Sequence, residues 1–383
     1  MAFLTPHGSL HVYPFLKPGH WPIVPLVDSS KPTSYSPWTH APICEVSAAD
    51  PSKKYCVYTN SRHGRRGISL LAKPEVAADN TGLLDEYLNV TAPEDEPFKI
   101  VDIPGKGKGV VATRHIKRYD TIMLDYSVLL IDMAFAAEVP AEKGYKLLHR
   151  AVDGLSDPES VRNLGQSNGL AKDPIENVLR TNGFHTMLGD EQHMALYPVV
   201  SRINHACKPN AYTRFSPKSL QVVAISAVRD IQPGEEITIS YITLGKTTPE
   251  RHQALKLWSF TCACDLCTAP PSEIAASDAR RSKIELLRDQ AIDAFQAGKS
   301  YQALRLTRQI LNLLPTEELF PMYAEQYENM ARIYFVLRDK ENAYKYAKLS
   351  LDTLVEQGYL DRVRPEYYER MWQKFFQEEG GRF

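Results

Sequence analysis

The stretch Ser201-Arg202-Ile203-Asn204-His205-Ala206-Cys207-Lys208-Pro209-Asn210-Ala211 sets an amide–imidazole pair, a thiol and a Pro-Asn turn within one short run of chain. Downstream comes Gly234-Glu235-Glu236-Ile237-Thr238-Ile239-Ser240-Tyr241, a turn leading into a strand with period-two patterning. Cys262-Ala263-Cys264-Asp265-Leu266-Cys267 follows. Its three thiols stand too close together for separate disulfides, and C-x-C-x2-C is the spacing of metal thiolates. A structural zinc takes four ligands. Cys207 is the natural fourth, because the two other cysteines, Cys44 and Cys56, lie far upstream. The expectation is one structural Zn2+ on Cys207, Cys262, Cys264 and Cys267, drawing the three stretches into one site.

Bulk properties exclude several classes of function. The chain has 383 residues, with 45 basic against 46 acidic side chains and a formal net charge of -1. That length allows two or three domains. The charge balance provides no global field to hold nucleic acid or an anionic membrane, so direct nucleic-acid binding is not predicted. No apolar run reaches the roughly 18 residues of a membrane span. Met1 to His20 lacks the charged and apolar regions of a signal peptide. The chain therefore reads as cytoplasmic, nuclear or both, with secretion still open had a leader been removed. Compartments that keep thiolates reduced rarely hold disulfides, which favours Cys44 and Cys56 as free thiols.

Outward from the opening stretch, the pattern changes several times. Residues 1–54 hold Pro6, Pro14, Pro18, Pro22, Pro25, Pro32, Pro37, Pro42 and Pro51, a density that predicts an extended arm. Tyr13, Phe15, Trp21 and Trp38 suggest that this arm lies on a surface. Over 55–131 strands are predicted at Tyr55–Tyr58, Gly67–Leu71, Phe98–Ile103, Val110–Ala112 and Thr121–Ile131, with an acidic helix around Leu83–Leu88. Asn89-Val90-Thr91 is a glycosylation sequon, informative only in a secreted chain. Residues 132–181 read as an insertion of short amphipathic helices at Lys143–Val152, Ser156–Leu164 and Pro174–Leu179. Strands return over 182–246, at Leu220–Ile225 and Glu236–Tyr241. The segment 247–270 begins with a helix over Pro249–Trp258, with Thr247 or Thr248 as N-cap, and carries the cysteine tail. Residues 271–383 are helical. There Ala291, Ala294, Phe295 and Ala303 recur as Ala331, Tyr334, Phe335 and Ala343, a helical repeat of about forty residues where a tetratricopeptide repeat has 34.

Asn204-His205-Ala206-Cys207 with Pro209-Asn210, then Gly234–Tyr241, then the cysteine tail resemble the SET domain and its post-SET segment. Gly107-Lys108-Gly109-Val110-Val111-Ala112, ahead of them, resembles the opening G-x-G motif of that family. The resemblance covers roughly residues 98–268. The helical insertion and helical C-terminal domain are similar to the MYND-associated (SMYD-like) branch, and the absence of a MYND finger resembles fungal SET proteins without one. The fold so implied is α+β: a SET-domain β fold of small sheets around a pseudoknot, with a helical insertion, a post-SET zinc site and an α-helical tetratricopeptide-like C-terminal domain.

What the resemblance implies is S-adenosylmethionine-dependent methylation of a lysine on a histone or non-histone protein. Two alternatives stand beside it: a SET-fold enzyme acting on a small molecule, and a catalytically weak scaffold whose helical repeat binds a protein partner. Retention of Tyr241, Asn204, His205 and four thiols argues against the scaffold. In the family, the turn at Lys106, Gly107, Lys108 and Gly109 passes the methionine part of the cofactor, and glycine lets backbone approach closely. Asn204 and His205 match the cofactor-binding pair. Asn182 falls where an asparagine contacts the cofactor amino acid, and Phe260 where an aromatic stacks on adenine. Tyr241 matches the catalytic tyrosine, which orients a neutral amine in line with the methyl group. Trp258 stands where relatives often place a tyrosine in the lysine channel, and Tyr197 lines the same channel. Ala206 replaces a usual serine and Asp125 a frequent glutamate, and neither removes a catalytic atom.

Overall fold

The computed structural model describes residues 35–84, 95–167, 171–215, 222–356 and 370. Strands alternate with short helices through the first two thirds of the chain. In chain order the strands are β1 (Ile43–Val46), β2 (Lys54–Asn60), β3 (Ile68–Ala72), β4 (Phe98–Ile103), β5 (Gly107–Ala112), β6 (Thr121–Tyr126), β7 (Leu129–Asp132), β8 (Phe184–Leu188), β9 (Glu191–Leu196), β10 (Asn204–His205), β11 (Ala211–Phe215), β12 (Val222–Ala227) and β13 (Glu236–Ile239). They form three sheets among the described residues, in the orders β1-β2-β3-β7-β9-β8, β10-β13-β5-β4 and β11-β12-β6. The helices are α1 (Pro74–Asp79), α2 (Phe135–Glu138), α3 (Ala141–Asp153), α4 (Glu159–Arg162), α5 (Pro174–Asn182), α6 (Thr248–Leu255), α7 (Asp265–Thr268), α8 (Pro271–Gln296), α9 (Ser300–Glu317), α10 (Tyr323–Val336) and α11 (Lys340–Glu356).

The six-stranded sheet is covered on both faces, and the period of two in β2 shows how. Tyr55 and Val57 join a core with Phe135, Leu148 and Val178 of the helical insertion. Cys56 and Tyr58 point the other way, into a core shared with Tyr197, Ile203 and Ile237 next to the four-stranded sheet. A strand buried on both sides needs apolar residues at every position, which is why β3 reads Ile-Ser-Leu-Leu-Ala with all five buried. Its one polar residue, Ser69, is satisfied by the Ala151 carbonyl at 2.6 Å. α5 starts where Asp173 accepts hydrogen bonds from the Ile175 and Glu176 amides, both at 3.0 Å, with Pro174 at the first helical position.

The segment predicted as one strand over Thr121–Ile131 is two. β6 pairs with β12 and β7 with β3 and β9, so the chain changes sheets at Ser127-Val128. An apolar run hides such a crossing, because both halves are equally buried. The proline-rich arm also differs from expectation at its end. Trp38 is buried in the core, and Ile43–Val46 pairs with β2 as an edge strand. Residues 1–34 lie outside the described residues. So do residues 85–88 of the acidic helix candidate, whose Leu83 and Leu84 end a 3-10 turn over Thr81–Leu84, the sequon, and the first two residues of the strand predicted from Leu220.

Cys44 and Cys56, expected as free thiols, form a disulfide. The register explains it: they sit directly opposite each other in the β1–β2 pair, with Cα atoms 4.0 Å apart. Compartment arguments could not see that register.

Beyond Pro271 the chain forms two helical hairpins, α8–α9 and α10–α11. Small residues at the crossings, Ala291, Ala294, Ala303, Ala331 and Ala343, are all buried and let the helices approach closely. One of the contacts that fasten the hairpins to the rest of the protein centres on a backbone carbonyl. Lys246 O accepts from Arg251 Nη1 at 2.8 Å and from Arg281 Nη1 at 3.2 Å. Arg281 Nε also donates to Glu317 Oε2 at 2.7 Å, which receives the Ser277 hydroxyl at 2.6 Å. Burial alone would raise the Glu317 carboxyl, but that hydroxyl and the Arg281 and Arg280 guanidiniums hold it below its ordinary value.

The disulfide carries a testable cost. It spans 12 positions and pins edge strand β1 to the sheet. Loop-closure entropy for that span is about 3 kcal/mol. Cys44→Ser should lower unfolding stability by about that amount in urea titrations with the thiol cluster metal-loaded; equal midpoints for variant and parent would show the bridge to be idle.

Candidate active site

The short strand β10 and the turn after it hold one edge of β13 from two directions. Asn204 and His205 pair in parallel with Thr238 and Ile239. The chain then loops through Ala206–Pro209 and returns at Asn210, whose carboxamide acts as a strand residue on the same edge. Its Oδ1 accepts from the Thr238 amide at 2.8 Å, and its Nδ2 donates to the Glu236 carbonyl at 2.8 Å and to Glu235 Oε1 at 3.1 Å. Asn210 is 2% exposed, so these bonds are made away from water. Across β13, Glu236 and Ile237 pair with Val111 and Val110 of β5, which brings the glycine-rich turn into the site.

That turn is shaped by backbone freedom at two positions and by lack of room at a third. Gly105 and Gly107 have φ of 74° and 75°, the left-handed region that glycine enters without strain. A side chain on Gly109 would stand 2.5 Å from Ile103 Cγ1 and 2.8 Å from Asn204 Nδ2. Asn204 therefore lies flat against the turn. Its Nδ2 donates to the Lys108 carbonyl at 3.1 Å and to Glu236 Oε1 at 2.9 Å, while its Oδ1 accepts nothing from the described residues. Lys106 reaches the other oxygen of Glu236, with Nζ 2.6 Å away. Lys108 pairs outward with Asp102 at 2.8 Å. The cradle and the open amide oxygen fit a ligand with a cationic or amide donor group, as S-adenosylmethionine is.

The four thiols converge as the spacing predicts. Cys207 Sγ lies 3.8 Å from Cys262 Sγ and 3.6 Å from Cys267 Sγ, and all four sulfurs lie within 4.8 Å of one another. Zn–S bonds of about 2.3 Å make a tetrahedron with edges of about 3.8 Å, so the donor set fits zinc. Contacts with Cys262, Cys264 and Cys267 push the Cys207 thiol up, and a cation is what lets such crowded thiols ionise together.

His205 links the thiols to Tyr241. Its Nδ1 accepts from the Tyr241 amide at 3.0 Å, which leaves the ring proton on Nε2, 3.3 Å from Cys207 Sγ. Burial pushes the imidazole down to about 4, so the ring is neutral near pH 7. Both ring nitrogens are thus used inside the scaffold. The Tyr241 hydroxyl donates to the Ile203 carbonyl at 2.7 Å. Burial, then the Glu236 charge, raises the phenol above its ordinary value and keeps it protonated.

An aromatic wall stands on this base. Trp258 lies 5.5 Å from the Tyr241 ring, and Phe260 lies edge-on to Tyr241 at 6.4 Å and 6.2 Å from His205. Ser259 turns the chain between Trp258 and Phe260 with φ of 57°. Phe260 remains 39% exposed, a flat apolar face open to solvent.

Other sequence-predicted residues are placed less centrally. Tyr197 is fully buried and meets Phe184 edge-on at 5.6 Å. Asn182 ends α5, with its Nδ2 donating to the Gly165 carbonyl at 2.7 Å and the Val178 carbonyl at 2.8 Å. Its own carbonyl receives the Ser201 hydroxyl at 3.3 Å, which ties it to the opening stretch. Asp125 acts as a turn-former: Oδ2 accepts from the Val199 and Val200 amides, at 2.6 and 2.9 Å, just before Ile203. Sequence reasoning missed Phe184. It packs with Tyr241 against the same core, and Gly183 fixes its approach, because a side chain there would meet Met194 Sδ at 2.5 Å. The signal was the Gly-Phe pair after Thr181-Asn182. A separate cleft of about 990 Å³ runs between β13, the cysteine tail and α8, with Lys106, Ala206, Glu236, Cys264, Glu273 and Phe320 on its wall. Tyr241, Trp258 and Phe260 are not part of that wall.

Comparison with known proteins gives consistent matches. The family model for the SET domain matches residues 107–242. The histone-lysine N-methyltransferase set5 of Schizosaccharomyces pombe is 28% identical over 229 residues, which cover 59% of this chain and 68% of that protein. Human N-lysine methyltransferase SMYD2 is 32% identical over 135 residues, 32% of this chain and 30% of that protein. Mouse protein-lysine N-trimethyltransferase SMYD5 is 40% identical over 78 residues, 19% of this chain and 18% of that protein. The match therefore spans two thirds of the set5 protein but less than a third of SMYD2 and SMYD5.

The thiol cluster makes a direct prediction. Cys207→Ser should drop zinc content well below one ion per chain by atomic absorption and weaken S-adenosylmethionine binding, because Cys207 shares its loop with Asn204 and His205. Full zinc loading with parent-like binding would break the connection between tail and loop.

Proposed function

We propose that this chain, whose residues 107–242 match the SET-domain family model, is an S-adenosylmethionine-dependent protein-lysine N-methyltransferase with a histone or non-histone substrate. The names of set5 and SMYD2, a histone-lysine and an N-lysine methyltransferase, support that substrate class. The observation that carries it is the placement of Tyr241: its hydroxyl is anchored on Ile203, one residue before Asn204, and its ring is walled by Trp258 and Phe260. In this reading 247–270 is a post-SET segment, and α8–α11 form a tetratricopeptide-like domain.

S-adenosylmethionine, when bound, supplies an electrophilic methyl group on a sulfonium sulfur. Gly107 and Gly109 would let the Lys106–Gly109 backbone lie against it, and the open Asn204 Oδ1 would receive a donor from its amino acid part. The exposed Phe260 ring would cover its adenine, and Asn182, tied to the opening stretch through Ser201, would stand beside its amino acid part. The lysine chain would enter past Trp258 and Phe184, with the buried Tyr197 behind Phe184. Tyr241 cannot act as a base, since burial keeps its phenol protonated. The hydroxyl proton is already given to Ile203, so its lone pairs face outward and accept an N–H from the incoming amine. This sets the amine lone pair in line with the methyl carbon, and positioning of this kind is most of the catalytic work.

Two measurements test this reading. Tyr241→Phe should cut turnover by about 100-fold, the scale of a misplaced reacting group, while calorimetry finds S-adenosylmethionine affinity nearly unchanged. A variant that methylates a lysine peptide at the parent rate would remove Tyr241 from the mechanism. The pH profile follows from the same chemistry. A free lysine amine has a pKa of about 10.4, so kcat/KM should climb tenfold per pH unit from pH 7 towards that value. The raised phenol adds no falling limb below pH 10. A bell with a descending limb near pH 9 would mean that another group titrates in the transition state.

A further inference from the structure

Glu236 begins β13, and its two carboxylate oxygens serve different partners. Oε1 accepts from Asn204 Nδ2 at 2.9 Å, and Oε2 accepts from Lys106 Nζ at 2.6 Å. The neighbouring Glu235 has a separate task. It pairs with Arg229 and accepts from Asn210 Nδ2 and the Gln232 amide, which closes the turn before the strand. Asn204 Nδ2 has two hydrogens and meets two acceptors, the Lys108 carbonyl at 3.1 Å and Glu236 Oε1. Neither acceptor can donate, so only the NH2 end of the carboxamide fits inward and Oδ1 is left open. The carbonyl is neutral, whereas a hydrogen bond to an ionised group is roughly twice as strong. Glu236 therefore supplies the larger share of that preference. The junction has no slack, since a side chain on Gly109 would come within 3.2 Å of Glu236 Oε1 and 2.8 Å of Asn204 Nδ2.

We propose that Glu236 is a positioning residue for the cofactor. By holding Asn204 with one oxygen and Lys106 with the other, it fixes which end of the Asn204 carboxamide meets the ligand, and so presents an acceptor to the α-ammonium of S-adenosylmethionine. The proposal rests on the cofactor reading above and adds the group that sets the polarity of that contact. A carboxylate serves both partners at once. Glutamine at 236 has a single acceptor end: turned to Asn204, it sets its NH2 against the Lys106 ammonium, and turned to Lys106, it sets its NH2 against Asn204 Nδ2.

Calorimetry on the full zinc-loaded chain can compare S-adenosylhomocysteine with its deaminated analogue, which carries hydrogen in place of the α-amino group. The parent protein should prefer the amino ligand by about tenfold or more, the scale of a hydrogen bond to a charged group. Glu236→Gln should lose most of that preference, because the amino ligand weakens while the analogue binds nearly as before. A residue that only stabilises the fold would weaken both ligands equally. That result, an undiminished preference in the variant, or a parent protein without the preference would overturn the proposal. If Glu236→Gln does not fold, Lys106→Met, which frees the carboxylate from the glycine turn, should reduce the same preference, and an undiminished one would again overturn the proposal. Both ligands keep their carboxylate, so any contact of Lys106 with it cancels in the ratio. A parent chain that binds neither ligand would overturn the cofactor reading itself, and the proposal with it.

Discussion

The Asn210 side chain is the constraint on which the site depends. β10 has only two residues to pair with β13, too few to hold a loop in place alone. Asn210 extends that pairing by using its carboxamide as backbone, giving and taking hydrogen bonds at Glu236 and Thr238. The intervening Ala206–Pro209 loop is thereby closed at both ends on one strand edge. Cys207 projects from the middle of it and cannot choose where to point. The thiol cluster, the Asn204 amide and the His205 ring all inherit their positions from this closure. Because Asn210 is buried, losing it would strand a backbone donor and a backbone acceptor together, and such unpaired groups cost more than a typical hydrogen bond gains.

Much of this architecture is legible in the residues because each motif carries a physical demand of its own. Thiol spacing predicts a metal site, glycine pairs predict close backbone approach, and alternation predicts a half-buried strand. What stayed hidden depends on register. Cys44 and Cys56 give no sign in sequence that they face each other, since that follows from how β1 slides along β2. The division of Thr121–Ile131 between two sheets is hidden for a related reason: both halves are buried, so composition does not change where the chain crosses. Phe184 went unseen because its role comes from a neighbour 13 positions on, Tyr197, that only the β8–β9 hairpin brings near. The ring of His205 illustrates the opposite case. The motif was found, but which of its atoms are free is a matter of hydrogen bonds, and both nitrogens are taken by Tyr241 and Cys207.

The pattern of taken and open groups separates scaffold from reaction site. Asn210, His205 and Asp125 direct their polar atoms inward, to backbone or to sulfur. Asn204 directs its amide hydrogens inward and leaves its oxygen open. Tyr241 gives its proton to Ile203 and keeps its lone pairs. Phe260 keeps a solvent-facing ring. These partly committed groups are the ones left to meet ligands. A static scaffold would be expected to close these valences as it closes those of Asn210.

The helical hairpins belong to the same mechanical unit. Strand β13 leads directly into Tyr241, and the chain leaves through Leu244 and Gly245 to Lys246. The Lys246 carbonyl is held from one side by Arg251 of α6 and from the other by Arg281 of α8. Arg281 is in turn fixed by Glu317 at the end of α9, and the Lys246 ammonium by Glu285 of α8 at 2.9 Å. The Arg281–Glu317 charges are buried, and removing one partner of such a pair costs far more than the pair contributes when intact. The exit from the tyrosine strand is therefore set by the helical domain as firmly as its start is set by Asn210. Tyr241 is stretched between two anchors, one in each part of the chain. Its orientation is a property of the whole assembly of sheet, thiol tail and helices.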